Sequence, residues 1–466
     1  MIKLSNVFFS YSTQRENGLK NINLNIEKGE CVLLCGSSGC GKTTITRLIN
    51  GLIPHFYSGN LKGSISVDGL DTQKTAIANI SDSVGSVFQN PRTQFFNTDT
   101  DSEIVFGLEN KGIAQPALEA TLNQIASELN IKGLKNRSIF ELSGGEKQKI
   151  AFASVYATNP DIFVLDEPSS NLDKDAINEL SQLLKKVKAK GKTIIVAEHR
   201  IWYLLDIVDR IVYMKDGKII EDLSADKFRL LETVQVSNMG LRCRSLSDIQ
   251  KESINIKTRG LLLSIANLSV NYNENEILKN INISINGGEI LGIVGANGVG
   301  KTTLARTICG LQRAAHGVIT LNGEVLNDKS RKSKAYMVMQ DVNHQLFTES
   351  VDAECMLGIK EPNKEEIINA LNLLNLTKFK DRHPLSLSGG QKQRLAVAVS
   401  LLCDKDIIVF DEPTSGLDLK SMREVSELTK LLSEQGKIII VITHDYEFIA
   451  SVCSKVLTME DGKILS

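Results

Sequence analysis

Apolar residues in this chain form short unbroken runs, which are separated by longer stretches with helical periodicity. The first half contains three such runs and the second half contains three more, at 31–35, 162–165, 193–197, 290–294, 407–410 and 438–442. Continuous apolar strands that alternate with helices are typical of a mostly parallel sheet covered on both faces. The pattern therefore predicts an α/β fold.

The two halves resemble each other over most of their length, which indicates an internal duplication. The pentapeptide Leu-Lys-Asn-Ile-Asn occurs at 19–23 and again at 278–282. A serine precedes an aspartate by 23 residues in both halves, at Ser143 and Asp166 and at Ser388 and Asp411. Two copies of one fold explain this spacing. We predict one domain at 1–222, a linker with some short helix at 223–260, and a second domain at 261–466.

Composition narrows the class of protein further. The 54 Lys and Arg residues balance the 55 Asp and Glu residues in this chain of 466, so no overall positive field favours nucleic acid. The apolar runs are far shorter than the roughly 20 residues that span a bilayer, and the N-terminus lacks the apolar core of a signal peptide. The eight cysteines form no Cys-x-x-Cys pair. We expect a cytosolic chain with reduced, structural thiols.

A glycine-rich loop follows the first apolar run of each half and precedes a helical stretch. Both loops fit the pattern G-x-x-x-x-G-K-[ST] of a P-loop. Glycines let the backbone N–H groups turn toward phosphates, the lysine contacts the β- and γ-phosphates, and the threonine hydroxyl can bind Mg²⁺. The predicted nucleotide-binding residues are Gly36, Ser37, Ser38, Gly39, Cys40, Gly41, Lys42, Thr43 and Thr44 in the first half, and Gly295, Ala296, Asn297, Gly298, Val299, Gly300, Lys301, Thr302 and Thr303 in the second.

Two adjacent acidic residues end a predicted buried strand in each half, Asp166-Glu167 and Asp411-Glu412. Ligands of such folds bind beyond the carboxyl ends of the strands. The aspartate is therefore placed to hold the Mg²⁺ shell, and the glutamate to reach an attacking water. Together with the loops, these acids predict nucleotide phosphate hydrolysis.

Taken together with two Ser-Gly-Gly turns, these motifs resemble the ATP-binding cassette (ABC) family over essentially the whole chain. The turns read Leu-Ser-Gly-Gly-Glu at 142–146 and Leu-Ser-Gly-Gly-Gln at 387–391, like the signature sequence of that family. The resemblance implies two tandem P-loop cassettes, each with a mostly parallel sheet flanked by helices plus a helical subdomain. The resemblance also implies that the signature residues contact nucleotide; these are Ser143, Gly144, Gly145, Glu146, Ser388, Gly389, Gly390 and Gln391.

The same resemblance implies roles for residues outside the loops. Gln89 and Gln340 look like Q-loop residues, His199 and His444 like switch histidines that contact the γ-phosphate, Tyr11 and Tyr272 like the aromatic that stacks on adenine, and 169–173 and 414–418 like D-loops. The implied catalytic residues are Lys42, Glu167 and His199 with Lys301, Glu412 and His444, and the implied metal ligands are Thr43, Gln89, Asp166, Thr302, Gln340 and Asp411. ATP and Mg²⁺ are the expected cofactors.

Two cassettes of this family pair head to tail, so that each ATP lies between the P-loop of one and the signature of the other. We expect this pairing within one chain. Both halves keep the catalytic glutamate and the histidine, which implies two hydrolysis-competent sites. The first signature has Glu146 where glutamine is usual, so the two sites could turn over at unequal rates.

The segments around the Q-loops resemble the ATPases of energy-coupling factor (ECF) transporters, which take up vitamins and transition-metal ions. These segments are Val-Phe-Gln-Asn-Pro at 87–91 and the stretch 339–347, together with Ala-Glu-His-Arg at 197–200. The resemblance implies an integral membrane coupling subunit and a substrate-binding membrane subunit as partners, with Phe88 and Phe347 at the docking surface. It implies no nucleic acid, and a peripheral location at the cytoplasmic face of the cell membrane.

Two alternatives remain open at this point. Simple-sugar importers also use fused cassettes, but they often carry one degenerate site, and neither half looks degenerate here. Soluble tandem-cassette factors that act on ribosomes also lack membrane spans, but they carry a long charged linker and an Asn-His pair in the D-loop, which this sequence does not show. The transported substrate cannot be read from the cassettes.

Overall fold

The structure, a computed structural model, describes residues 1–12, 18–170, 172–251, 260–272, 275–359 and 361–465. It forms two compact units, Met1–Ser245 and Leu246–Ser466. Asn171 of the first predicted D-loop and residues 252–259 of the predicted linker lie outside the described residues. Each unit has the α/β architecture that the apolar runs predict, so the predicted fold class is confirmed.

The first unit contains ten strands and nine α-helices among its described residues. The strands are β1 (Ile2–Tyr11), β2 (Gly18–Ile26), β3 (Cys31–Gly36), β4 (Gly59–Val67), β5 (Leu70–Asp71), β6 (Val84–Val87), β7 (Ile162–Asp166), β8 (Thr193–Ala197), β9 (Arg210–Lys215) and β10 (Lys218–Ser224). The helices are α1 (Lys42–Ile49), α2 (Leu52–His55), α3 (Ile77–Ser83), α4 (Thr100–Glu109), α5 (Gln115–Glu128), α6 (Gly144–Ala157), α7 (Lys174–Ala189), α8 (Ala225–Arg229) and α9 (Thr233–Asn238).

These strands form two sheets. The larger sheet has the order β10-β9-β3-β8-β7-β6 and is parallel except for β10. The smaller sheet, β2-β1-β4-β5, is antiparallel and was not anticipated from the apolar runs. Its β1 alternates buried and exposed positions, which is the pattern of a sheet with one solvated face.

Alternate residues of the central strand β3 enter two different cores. Leu33 lies in a core with the helices α4, α5 and α6, which form a helical layer beside the sheet. Leu34 lies in a second core with α1 and the antiparallel sheet. Because successive side chains of a strand point to opposite faces, an unbroken apolar run is what a strand covered on both sides requires.

The second unit repeats this plan. Its strands are β11 (Leu262–Tyr272), β12 (Asn275–Asn286), β13 (Ile290–Val294), β14 (His316–Leu321), β15 (Glu324–Val325), β16 (Ala335–Val338), β17 (Ile407–Asp411), β18 (Ile438–Ile442), β19 (Lys455–Glu460) and β20 (Lys463–Leu465). Its helices are α10 (Lys301–Ile308), α11 (Asp328–Lys334), α12 (Val351–Met356), α13 (Lys364–Leu373), α14 (Gly389–Leu402), α15 (Leu419–Glu434) and α16 (Tyr446–Val452). The sheets have the orders β16-β17-β18-β13-β19-β20 and β12-β11-β14-β15, which match those of the first unit strand for strand.

The first half of the predicted linker packs on the first unit. Phe228 in α8 and Val236 in α9 are buried in the same core as the helical layer. Hydrophobic burial thus extends the first compact unit beyond the predicted boundary at 222, as far as Ser245. The boundaries of the two cassettes as functional domains stay a prediction.

No helix within the described ranges is long and apolar enough to span a membrane.

Candidate active site

Four neighbouring parallel strands in each unit end beside one another, and each is followed by one group of predicted site residues. In the first unit, Gln89 follows β6, the acids end β7, His199 follows β8, and the P-loop follows β3. In the second unit, β16, β17, β18 and β13 are followed by the equivalent residues in the same order. Because the carboxyl ends of parallel strands share one edge, residues far apart in sequence come together there.

The first P-loop is a tight turn that only glycine fits at two positions. The backbone φ is +144° at Gly36 and +109° at Gly41, which precedes α1. A Cβ atom on Gly36 would lie 2.2 Å from the carbonyl oxygen of Met214. The Nζ atom of Lys42, which is buried, donates hydrogen bonds to the carbonyl oxygens of Gly36 (3.0 Å) and Ser37 (3.3 Å). The loop therefore holds its ammonium group in place.

The carboxylate of Glu167 contacts two other predicted residues of the first site. Its Oε1 lies 3.3 Å from Nε2 of His199, and its Oε2 accepts a hydrogen bond of 2.6 Å from Nε2 of Gln89. The same His199 nitrogen lies 3.3 Å from Nζ of Lys42 and 3.5 Å from Oγ of Ser38. Two residues from other strand ends thus contact the Glu167 carboxylate, and two P-loop residues contact the histidine beside it.

The metal ligands predicted for the first unit include an adjacent hydroxyl and carboxylate. Oγ1 of Thr43 donates to Oδ1 of Asp166 over 3.0 Å. Burial, and secondarily the charge of Glu167, raises the pKa of Asp166 to about 6. Mg²⁺ binds through one or two carboxylates together with hydroxyl, water and phosphate oxygens, so this oxygen donor set fits the ion. Such an ion would stabilise the buried carboxylate charge and the charge on a nucleotide's phosphates.

The second unit has the same core arrangement. A Cβ atom on Gly295 would lie 2.1 Å from the carbonyl oxygen of Met459, so this turn also requires glycine. The Nζ atom of Lys301 donates to the carbonyl oxygens of Gly295 (2.6 Å) and Ala296 (2.8 Å). Oγ1 of Thr302 donates to Oδ2 of Asp411 over 2.9 Å, and burial raises the pKa of that aspartate. The second P-loop therefore carries the same lysine and oxygen donors.

The hydrogen-bond partners of Glu167 and Glu412 differ. Glu412 accepts hydrogen bonds at Oε2 from the Thr443 hydroxyl (3.0 Å) and the His444 backbone N–H (3.4 Å), and its Oε1 lies 3.5 Å from Nε2 of His444. That histidine nitrogen is also 3.1 Å from Oδ1 of Asn297 in the P-loop. A threonine hydroxyl thus contacts the second glutamate, where a Q-loop amide contacts the first. Gln340 itself is exposed.

Both glutamates have a backbone conformation that is unusual for their residue type. The φ angle is +45° at Glu167 and +51° at Glu412, in the left-handed region that favours glycine. In each case, the backbone N–H donates to a carbonyl at the end of the neighbouring strand, Ala197 or Ile442, over 2.8 Å. Non-glycine residues keep such strained conformations where the surrounding structure enforces them, often at functional sites.

A buried charged network behind the first histidine could not be foreseen from the sequence pattern. The carboxylate of Glu198 accepts hydrogen bonds from the backbone N–H groups of Ser169, His199 and Arg200 and from the Tyr203 hydroxyl, over 2.6–3.2 Å. The Arg200 guanidinium in turn donates to the carbonyl oxygens of Ser169 and Leu172. This network fastens the described part of the first D-loop to the segment that carries the switch histidine.

The second unit makes that connection with different residues. There, Oδ2 of Asp445 accepts a hydrogen bond of 2.7 Å from Oγ1 of Thr414, which lies in the second predicted D-loop. The buried acid thus follows the histidine in the second unit, whereas it precedes the histidine in the first. The signal available in the sequence was the contrast between Ala-Glu-His-Arg at 197–200 and Ile-Thr-His-Asp at 442–445.

Each predicted signature begins a long helix. Ser143 caps α6 and Ser388 caps α14, and both serines form a reciprocal capping box with the third residue of the helix, Glu146 or Gln391. Gly144 and Gly389, the first residues of these helices, are exposed. The N-termini of both helices thus present backbone N–H groups and the positive end of the helix dipole at the predicted signatures.

The two tyrosines predicted to stack on adenine have different surroundings. The Tyr11 hydroxyl accepts a hydrogen bond of 2.9 Å from Arg47, whose guanidinium lies 4.0 Å from the centre of the Tyr57 ring. The Tyr272 hydroxyl donates to Gln312 over 2.9 Å, and this tyrosine is 43% exposed. Stacking on adenine stays a prediction for both residues.

Comparisons with known proteins agree with this geometry. The family model described as "ABC transporter" matches the chain twice, at residues 19–170 and 278–415. The chain is 57% identical to an ABC transporter ATP-binding protein of Treponema denticola, over all of this chain and 96% of that protein. A second protein of the same description and organism is 40% identical, with the same coverage.

A solved structure matches almost the whole chain. An ABCE1 structure from a model of ribosome-bound archaeal Pelota and ABCE1 has a TM-score of 0.70 and 22% identity, and the match covers 98% of this chain and 78% of that chain. At this identity, the likeness shows the fold of two tandem cassettes. The two matches to the family model and the 57% identical relative lead to one conclusion: the chain belongs to the ABC transporter family, as an ATPase with two tandem cassettes.

Proposed function

We propose that this ATPase is the energy-coupling subunit of an importer of the ECF type. It binds ATP with Mg²⁺ in both cassettes, hydrolyses it, and thereby drives uptake of a micronutrient, a vitamin or a metal ion, through separate membrane subunits. The cassettes pair head to tail, so that each signature contacts the nucleotide held by the other P-loop. The observation that carries hydrolysis is the contact between glutamate and histidine in both units, with the P-loop lysine Lys42 beside the histidine in the first unit.

The observation that carries docking to a membrane subunit is a pair of exposed phenylalanines at equivalent positions. Phe96 is 76% exposed and Phe347 is 71% exposed, each seven residues after a Q-loop glutamine, whereas Phe88, which the sequence suggested for this surface, is half-buried. Phe96 also stacks on Phe106, with ring centres 5.0 Å apart. Exposed aromatic side chains cost solvation free energy, and they are enriched where proteins bind one another.

A buried glutamate holds each of these phenylalanines in place. The backbone N–H groups of Phe96 and Asn97 donate to Oε2 of Glu103, over 3.0 and 2.8 Å. The backbone N–H groups of Phe347 and Thr348 donate to Glu354 in the same way, over 3.0 and 2.9 Å, and both glutamates are 2% exposed. Buried carboxylates are costly, so their use to hold the backbone at two exposed aromatic residues supports a binding role for these residues.

The docking surface is also linked to the catalytic carboxylate. The side-chain oxygen of Gln94 accepts a hydrogen bond of 3.2 Å from the backbone N–H of Phe88, next to Gln89. Gln89 in turn donates to Glu167. We infer that a cytoplasmic helix of the membrane subunit, seated against Phe96, shifts the Q-loop during the ATP cycle, and that this movement transmits work to the membrane.

Co-purification in mild detergent tests the proposal. The tagged full chain, isolated from its native cells, is expected to bring down one integral membrane coupling subunit and a small substrate-binding membrane protein in stoichiometric amounts. Recovery of sugar-importer membrane subunits with a separate binding protein would replace the ECF assignment by the simple-sugar alternative. Recovery of ribosomal particles without membrane proteins would contradict the transport role and favour the soluble alternative, while leaving the ATPase sites unaffected.

A further inference from the structure

The first signature carries a negative charge that the second one lacks. Oε2 of Glu146 accepts a hydrogen bond of 2.8 Å from the backbone N–H of Ser143, and the Glu146 backbone N–H donates to Oγ of Ser143 over 3.3 Å. Gln391 makes the same pair of hydrogen bonds with Ser388, over 3.0 and 3.4 Å. The two helix N-termini thus have the same capping geometry but differ by one carboxylate charge.

In the first unit, an arginine forms an ion pair with this carboxylate. NH1 of Arg137 lies 3.0 Å from Oε1 of Glu146, the carboxylate oxygen that takes no part in the capping box. Burial opposes ionisation of this glutamate, but the hydrogen bonds with Ser143 and the charge of Arg137 outweigh it and lower the pKa of Glu146. The carboxylate is therefore ionised near neutral pH and is paired with a cation.

The equivalent arginine of the second unit makes a different interaction. Arg137 and Arg382 each lie six residues before their signature serine. The guanidinium carbon of Arg382 lies 5.3 Å from the centre of the Phe379 ring, in a cation–π interaction. Gln391 is neutral and forms its capping box with Ser388. The geometry of the signature turn therefore does not depend on an arginine at this position.

We propose that Arg137 is a positioning residue that neutralises Glu146, so that the N-terminus of α6 can accept a nucleotide phosphate. This inference rests on the proposed function, in which both signatures contact nucleotide. A helix N-terminus attracts anions through its N–H groups and dipole, and an uncompensated carboxylate in its first turn repels them. The arginine cancels this repulsion, so the first signature acquires the electrostatic character of the second.

Steady-state ATPase kinetics of the purified full chain test the inference. Arg137→Ala is expected to raise the KM for ATP about three- to tenfold at low salt and to leave kcat within about twofold, because repulsion weakens binding of the phosphates. Added salt should reduce the effect, since it screens the carboxylate. Arg382→Ala is the matched control, with a KM within about twofold of the unaltered chain because its neighbour Gln391 is neutral.

Removal of the Glu146 carboxylate together with the arginine separates an electrostatic role of Arg137 from a merely structural one. Arg137→Ala combined with Glu146→Gln is expected to restore the KM to that of Glu146→Gln alone, and Arg137→Lys should keep most of the original affinity because it retains the charge. If Arg137→Ala does not fold, Arg137→Gln provides the same loss of charge. The inference is overturned if the double variant keeps the high KM, or if the Arg137 and Arg382 variants behave alike. A chain without ATPase activity before any substitution would instead overturn the proposed function, and this inference with it.

Discussion

The side-chain amide of Gln89 donates a hydrogen bond of 2.6 Å to the carboxylate of Glu167. This contact joins the segment after β6, which leads to the exposed Phe96, to the carboxylate of the residue that directly follows β7. It connects the segment of the proposed docking surface in the first unit to the predicted catalytic glutamate. In the second unit, the Thr443 hydroxyl contacts the equivalent Glu412.

Removal of that amide should slow hydrolysis more than it weakens nucleotide binding. We expect Gln89→Ala to lower kcat about five- to tenfold, because Glu167 loses a partner that orients it, and to change the KM for ATP by less than about twofold. Thr443→Ala is the counterpart in the second unit and should show the same split between kcat and KM. A Gln89 variant with a raised KM and an unchanged kcat would contradict this role.

Substitution of the two exposed phenylalanines should uncouple the chain from its membrane partner. Phe96→Ser combined with Phe347→Ser is expected to abolish co-purification of the coupling subunit and to lower substrate uptake at least tenfold, because the anchoring rings of the interface are lost. Surface substitutions of this kind usually change the free energy of unfolding by less than about 0.5 kcal/mol.

A third exposed phenylalanine offers the control for that experiment. Phe56 is 74% exposed and lies outside the segments that follow the Q-loops. Phe56→Ser should leave both co-purification and uptake unchanged. Equal losses for all three substitutions would show a general effect of exposed aromatic rings and would count against the docking surface.

The buried carboxylate of Glu198 should be important for stability of the first unit. Glu198→Ala leaves four donors in the protein interior without their acceptor, and we expect the free energy of unfolding to fall by about 3–5 kcal/mol. Thr443→Ala, at the equivalent position of the second unit, should cost only about 1 kcal/mol. Denaturant unfolding of both variants measures the difference. If Glu198→Ala lowered the free energy of unfolding as little as Thr443→Ala is expected to, the network would contribute little.

The buried cysteines should resist alkylation at ordinary pH. Burial raises the pKa of Cys31, Cys309, Cys355 and Cys453 to about 12, so the reactive thiolate is scarce below that pH. At pH 8, iodoacetamide followed by mass spectrometry should modify the half-buried Cys243 first and leave these four unmodified in the native chain. Rapid modification of any of the four without unfolding would contradict their assignment as structural thiols.

The parts of the fold that could be predicted are those determined by local pattern. The unbroken apolar run 31–35 became the central strand because both faces of that strand are covered, and Gly36 begins the loop because no side chain fits there. The carboxyl ends of parallel strands share one edge of the sheet, so the meeting of Lys42, Glu167 and His199 could be expected once the family resemblance was recognised.

Other features depend on contacts between residues that no local pattern connects. Glu103 reads as an ordinary polar residue of a helix, but it is buried because it binds the backbone before its own helix. The pairing of Glu198 with the D-loop is a contact across about 30 residues, and the sequence does not show which side chains meet. The packing of α8 and α9 on the first unit likewise depends on tertiary burial of Phe228 and Val236.

The ATPase rates of Glu167→Gln, Glu412→Gln and the double variant show whether both cassettes hydrolyse ATP. Each substitution keeps the size of the side chain but removes the carboxylate that is predicted to position the attacking water. We expect each single variant to lose at least about half of the rate and the double variant to be inactive. Hydrolysis in both cassettes would be contradicted if Glu412→Gln alone kept the full rate while Glu167→Gln alone abolished it, or the reverse.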